Sequence, residues 1–137
     1  YNGDAFNNSP AGQLVQQATG SGINLDGTQV VEVAAFLRVI NALENIRQSI
    51  ELLEPVANKW HQTVEEGQRL IDQAVAETED SIAVLSGGGL HPEAVTHLKE
   101  ALRLTKKAQR SFFFKRQNAR DAIVQQEKAR DEMVGTS

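Results

Sequence analysis

Residues 36–53 read FLRVINALENIRQSIELL, and the spacing within this stretch decides the fold. Phe36, Val39, Leu43, Ile46, Ile50 and Leu53 recur at steps of 3, 4, 3, 4 and 3, the heptad spacing of a helix that packs along a seam. Upstream, Asp26 or Thr28 can cap this helix, and Asp26 sets a carboxylate beside the positive end of its dipole. Downstream, Pro55 lacks an amide hydrogen and crowds the preceding turn, so it ends or kinks the helix. Proline also suits a first helical turn, so a tight reversal is expected, with a continuous kinked rod as the alternative.

Two further helices follow from the same reading. Val64, Ile71, Val75, Thr78, Ile82 and Leu85, widened by Trp60 and Leu70, give a second stripe over about residues 55–86. Ser86 and the three glycines Gly87, Gly88 and Gly89 stop it, because glycine accepts positive φ at no steric cost. Pro92 and Glu93 then suit the first turn of a third helix, predicted over about 92–133. Its seam is Ala94, Leu98, Ala101, Thr105, Ala108, Phe112, Ala119, Ala122, Ala129 and Met133, interrupted by the polar Lys115 and Gln126. So many alanines let a neighbouring helix approach closely. The first helix is expected over about 28–53. The prediction is therefore an all-α protein: an elongated antiparallel three-helix bundle or coiled-coil hairpin over 28–137.

Residues 1–27 are of another kind. Asn2, Gly3, Asp4, Asn7, Asn8, Ser9, Pro10, Gly12, Gly20, Gly22, Asn24, Asp26 and Gly27 break any regular pattern, so an irregular segment is expected that needs something to pack against. The chain opens on Tyr1, which predicts that it continues a longer or processed polypeptide.

With 137 residues there is room for one domain. Apolar residues at 40 % and charged residues at 23 % are those of a globular chain, which argues against general disorder. Aromatics are only 5 %, so the core must come from Leu, Ile, Val and Ala. The absence of cysteine excludes disulfides, thiolate zinc sites, a cysteine nucleophile and covalent haem attachment within this stretch. No apolar run approaches the roughly 20 residues of a membrane span, and the first residues do not read as a signal peptide.

Charge separates along the chain. Residues 44–80 hold nine acids against Arg47, Lys59 and Arg69. Residues 99–120 hold Lys99, Arg103, Lys106, Lys107, Arg110, Lys115, Arg116 and Arg120 against the single acid Glu100. The expectation is that the acidic second helix pairs with the basic third helix; the alternative is a docking strip for an acidic partner. The net charge of −4 and the lack of a groove-reading motif argue against nucleic acid.

No self-contained catalytic or metal site is read in the chain. The residues three before His61, His91 and His97 are Asn58, Gly88 and Ala94, so the Glu-x-x-His pairs of a di-iron bundle are missing. His61 with Glu65, and Glu93 with His97, share helix faces, but the reversal near Gly88 sets the two pairs nearly 30 Å apart at helical rise, too far for one ion. No serine sits in a nucleophile elbow, and the glycine clusters lack the lysine and strand–loop–helix setting of a phosphate cradle. The outstanding feature is Phe112-Phe113-Phe114, three of the five phenylalanines. Three consecutive helical positions span about 200°, so one seam cannot bury all three. Phe112, Phe113, Phe114, Lys115 and Arg116, together with Trp60, which an antiparallel arrangement brings near residues 116–117, are the candidate partner-binding cluster.

The opening segment carries a resemblance. Tyr1-Asn2-Gly3-Asp4-Ala5-Phe6-Asn7-Asn8-Ser9-Pro10 resembles the carboxy-terminal end of the bacterial di-haem cytochrome c peroxidase family, where a Phe-Tyr-Asn stretch precedes a polar loop and a short closing helix. Leu25-Asp26-Gly27-Thr28-Gln29-Val30 and Val33-Ala34-Ala35-Phe36-Leu37-Arg38 are similar to that last helix. The likeness covers residues 1–47. That family binds two haems through Cys-x-x-Cys-His motifs, which this chain lacks, and Met133 falls far outside the matched stretch, so no haem ligand is carried over. The resemblance implies a periplasmic parent protein carrying haem c, with Phe36 and Leu37 packed in its cytochrome core. Residues 48–137 would be a non-catalytic helical extension for docking, oligomerisation or recognition of an electron-transfer partner. Its contacts would be the rest of the parent chain, a second copy, or that partner. The alternative from the residues alone is a freestanding helical adaptor that binds a protein through the aromatic and basic patch.

Overall fold

A computed structural model of the chain describes residues 27–58, 63–111 and 113–135. Among the described residues there are four helices and no strand: α1 (Gly27–Asn58), α2 (Val64–Gly87), α3 (Pro92–Arg110) and α4 (Lys115–Val134). The all-α bundle expected from the sequence is thus present. It has one helix more than the spacing suggested, because the segment expected as one rod over 92–133 folds back on itself at 111–114. Each helix packs against two neighbours, α1 on α2, α2 on α3, α3 on α4 and α4 on α1, so the four close a ring.

Local chemistry sets the helix ends. Thr63 accepts the amide of Glu66 on its hydroxyl at 3.1 Å and caps α2, whose first turn carries Glu65 and Glu66. The α2–α3 turn uses Gly89 at φ 63° and returns the Leu90 amide to the Leu85 carbonyl at 2.9 Å. A side chain at Gly88 would stand 3.0 Å from Cδ of Arg38, which lies across the turn and donates to the Val84 carbonyl at 3.1 Å. Pro92 opens α3, and Gly135 at φ 74° closes α4.

Pro55 does not end α1. The helix continues to Asn58, and the chain reverses between Asn58 and Thr63 instead of at the proline. A proline in the last turn denies one amide to the Glu51 carbonyl, while Leu53, Val56 and Ala57 bury themselves and hold that turn in place. The predicted break fails because the packing outweighs a single lost bond.

The core lies in two clusters with a polar layer between them. At the end where α3 meets α4, Leu53, Val56, Ala57, Ile71, Ala74, Leu104, Ala108, Ala119 and Ala122 pack together. At the glycine-turn end, Ala42, Ile46, Leu85, Ala94, Val95, Leu98, Ala129 and Met133 do the same. Every helix runs from one cluster to the other in alternating direction, an up-down-up-down arrangement. The seam of α1 is Ala42, Ile46, Ser49, Leu53 and Val56, rotated from the predicted one: Leu43 and Ile50 are half-buried and Phe36 is 58 % exposed. Val64, placed in the α2 stripe by its spacing, is also exposed. Of the seam expected over 94–133, the alanines, Leu98, Thr105 and Met133 are buried as read, now shared between α3 and α4, while Phe112 lies outside the described residues.

Between the clusters, Ser49, Thr78, Thr105 and Gln126 are fully buried, one from each helix. Thr78 donates its hydroxyl to the Ala74 carbonyl at 2.7 Å and accepts the Gln126 amide Nε2 at 2.8 Å. The hydroxyls of Ser49, Ser81 and Thr105 are likewise spent on the carbonyls of Asn45, Thr78 and Ala101. No donor remains for Oε1 of Gln126, which is buried without a hydrogen bond.

Candidate functional site

The α3–α4 connection forms a corner at one end of the bundle. α3 stops because the Ser111 hydroxyl accepts the Phe114 amide at 2.9 Å, a local bond that competes with continuing the helix. Lys115 then reaches back and donates to the carbonyls of Ala108 at 2.9 Å and Gln109 at 3.5 Å, and also to Oε1 of Gln68 at 3.2 Å. Its ammonium sits on carbonyls at the negative end of α3, the place where a cation is favoured. Arg116 does the same for α1, donating from Nε to the Ala57 carbonyl at 2.9 Å. The first turn of α4 is therefore tied to α1, α2 and α3 at once.

On this clamped corner Phe113 is 84 % exposed and Phe114 67 % exposed. The exposed Val64 lies at the same end of the bundle, on the first turn of α2. Of the residues singled out by sequence, the fold brings Phe113, Phe114, Lys115 and Arg116 together at one corner; Phe112 and Trp60 lie outside the described residues, and so does the expected aromatic cluster between them. Lys115 and Arg116 turn out to hold helix ends. Lys106, Lys107, Arg110 and Arg120, which sequence grouping left undistinguished, are exposed, as is Arg116, and no acid occurs from Ala101 to Arg120.

The acidic second helix does not pair with the basic stretch through ion pairs among the described residues. The ion pairs formed there stay within one helix: Arg47 with Glu44 and Glu51, Arg103 with Glu100, and Arg130 with Glu127 and Asp131. What joins α2 to α3 is a neutral donor on an acid: Gln109 Nε2 donates to Asp72 Oδ1 at 2.8 Å, beside Gln68 at 3.0 Å. These bonds, with the charge of Lys115, hold the Asp72 carboxyl below its ordinary range.

A second surface lies along α1. Ile40, Leu43 and Ile50 on α1 and Val134 on α4 line an open groove of about 890 Å³, together with Arg47 and Arg130. Two of the six residues of the seam predicted from sequence, Leu43 and Ile50, face this groove.

Among the described residues, no group of three or more His, Cys, Asp or Glu is placed to hold a metal ion, and no helix is long and apolar enough to cross a membrane. His97 Nδ1 lies 3.1 Å from Gln125 Oε1, a partner on the facing helix. Neither a protein-family model nor a curated protein nor a solved structure matches this chain.

Proposed function

We propose that this chain is a non-catalytic helical docking module that holds a protein partner at the α3–α4 corner. The carrying observation is the pair of adjacent phenylalanines, 84 % and 67 % exposed, on a backbone clamped to three helices. Rigid aromatic side chains presented to solvent lose little conformational entropy on binding and bury a large apolar area, which makes them the usual anchors of interfaces. The buried hydroxyls are spent on main-chain carbonyls, which speaks for a binding role over nucleophilic chemistry. The test is a comparison of the wild-type chain with Phe113→Ser/Phe114→Ser. Cross-linking in the source cell, with the bound protein identified by mass, should lose its main product in the double variant while the helical melting curve is kept. An unchanged product would end this reading.

A second reading concerns what the module belongs to. The likeness of residues 1–47 to the end of di-haem cytochrome c peroxidases would make it the extension of a periplasmic haem protein; the exposed Phe36 near the start of α1 supports it, as a side chain available for another domain to cover, whereas Leu37, expected beside it in that core, is already buried in this bundle. Haem c would then be held by the parent and by no residue of this chain. The intact mass of the native polypeptide decides: a mass far above 15.0 kDa including covalent haem supports this parentage, and a mass near that value without a chromophore refutes it.

A further inference from the structure

Resting on the docking reading above, we infer that the partner presents an acidic segment, which lies along the outward face of α3 and sets an apolar side chain against Phe113 and Phe114. Lys99, Arg103, Lys106 and Arg110 follow one another at steps of 4, 3 and 4, so they share one face of α3, opposite its buried residues Ala94, Leu98, Ala101 and Ala108. All four are exposed, and so is Lys107 beside them. The stripe is about 17 Å long at helical rise and ends at the aromatic corner.

Little of its charge is spent on ion pairs. Arg103 is held by Glu100, while Lys99, Lys106, Lys107 and Arg110 make no ion pair among the described residues. The neighbouring acid Asp72 is instead bonded to glutamines. Residues 99–120 hold eight of the fourteen basic side chains of the chain and one of its eighteen acids, so positive charge is concentrated in this stretch of an acidic chain. Such a local excess steers an oppositely charged partner and fixes its orientation.

Shape separates the candidates for that partner. A lipid surface can meet the tip at Phe113 and Phe114 but not the flank of a helix that runs away from the tip. A nucleic acid would bring its phosphates against the acids elsewhere on the bundle, and the aromatic side chains stand at one end of the stripe instead of alternating with the cations as stacking platforms do. An extended or helical acidic segment with a terminal apolar residue matches both parts of the surface together.

The probe is a fluorescein-labelled peptide of Glu and Ala ending in Leu-Phe, titrated with the full chain by anisotropy; its Lys-for-Glu counterpart and phosphatidylglycerol vesicles serve as competitors. The acidic peptide should bind. Lys106→Glu/Arg110→Glu should weaken it at least about tenfold, and added salt should weaken it further. Arg69→Glu/Lys128→Glu, which alters exposed cations on α2 and α4, should leave it unchanged. Equal loss in both charge variants, no loss in the first, or preference for the Lys peptide or the vesicles would overturn the inference. If Phe113→Ser/Phe114→Ser still abolishes the cellular cross-link while Lys106→Glu/Arg110→Glu leaves it intact, the docking role stands and the acidic partner falls. Circular dichroism of each variant confirms that these exposed positions leave the bundle folded.

Discussion

Like Asn118, whose Nδ2 is buried without a partner, Gln126 is buried with its amide only half satisfied. Its Nε2 must point at Thr78, since the Thr78 hydroxyl proton is already given to Ala74, and this leaves Oε1 buried without a donor. A buried acceptor in that state costs about 1–3 kcal/mol. Gln126→Leu should therefore raise the unfolding free energy by about 1 kcal/mol in urea melts, because it removes the orphan and adds apolar burial. A lower midpoint would show that the polar layer contributes more than its hydrogen bonds suggest. Lys115 makes the opposite case. Its ammonium closes the end of α3, so Lys115→Met should lower stability by about 1 kcal/mol, and amide exchange should quicken first at Arg110 and Ser111. Sequence could place Gln126 on the seam as an interruption but not show that it is buried. The same was true of Lys115, whose target lies seven residues back and depends on a turn that spacing does not reveal.

At the scale of elements, the missing fourth helix is instructive. Ala108 and Ala119 are eleven residues apart, about 20° out of phase at 100° per residue, so the seam runs on in register across the break. Periodicity alone could not detect it. The local signals were Ser111, able to accept a nearby amide, and three phenylalanines that no single seam can bury. Pro55 misled in the other direction, since a breaker near a helix end matters less than the apolar residues flanking it. The wheel of α1 was legible only in part: with neighbours on two sides, Ala42 and Ser49 are buried where larger residues were expected, and Leu43 and Ile50 turn partly outward. Between α2 and α3, the Asp72 carboxylate accepts from Gln68 and Gln109, and its folded affinity for protons is lowered, chiefly by Gln109. A carboxyl whose folded pKa lies below its unfolded one stabilises the fold above the ordinary carboxylate range and loses that contribution as pH falls through it. Carboxyl NMR titration of Asp72 should give a midpoint below that of an unstructured peptide. In Gln109→Ala the midpoint should move upward.

On the scale of the whole molecule, the all-α class and the alanine-lined core followed from composition and spacing, whereas ring closure followed from neither. It depends on α4 returning to α1, and the two helices are far apart in sequence. Closure makes the bundle one cooperative unit. Ile46 is fully buried in one cluster, and Ile46→Asp would place an unpaired charge there at a cost of several kcal/mol, comparable with the stability of a small domain. The variant should lose helicity throughout, including the distant cluster around Leu53 and Ala119, in a single transition. Retained amide protection in that cluster would mean that the two halves fold separately.

The alternating directions of the helices also set how the molecule carries load. The start of α1 and the end of α4 lie at the glycine-turn end, and the aromatic corner lies at the other. A pull on the two chain ends peels α1 from α4 one side-chain layer at a time, as a zipper opens, which takes little force. Tension between a partner gripping Phe113 and Phe114 and whatever continues from the start of α1 runs the full length of the bundle. The helices must then slide past one another with many layers resisting together, so the same fold is soft as a hinge and stiff as a strut.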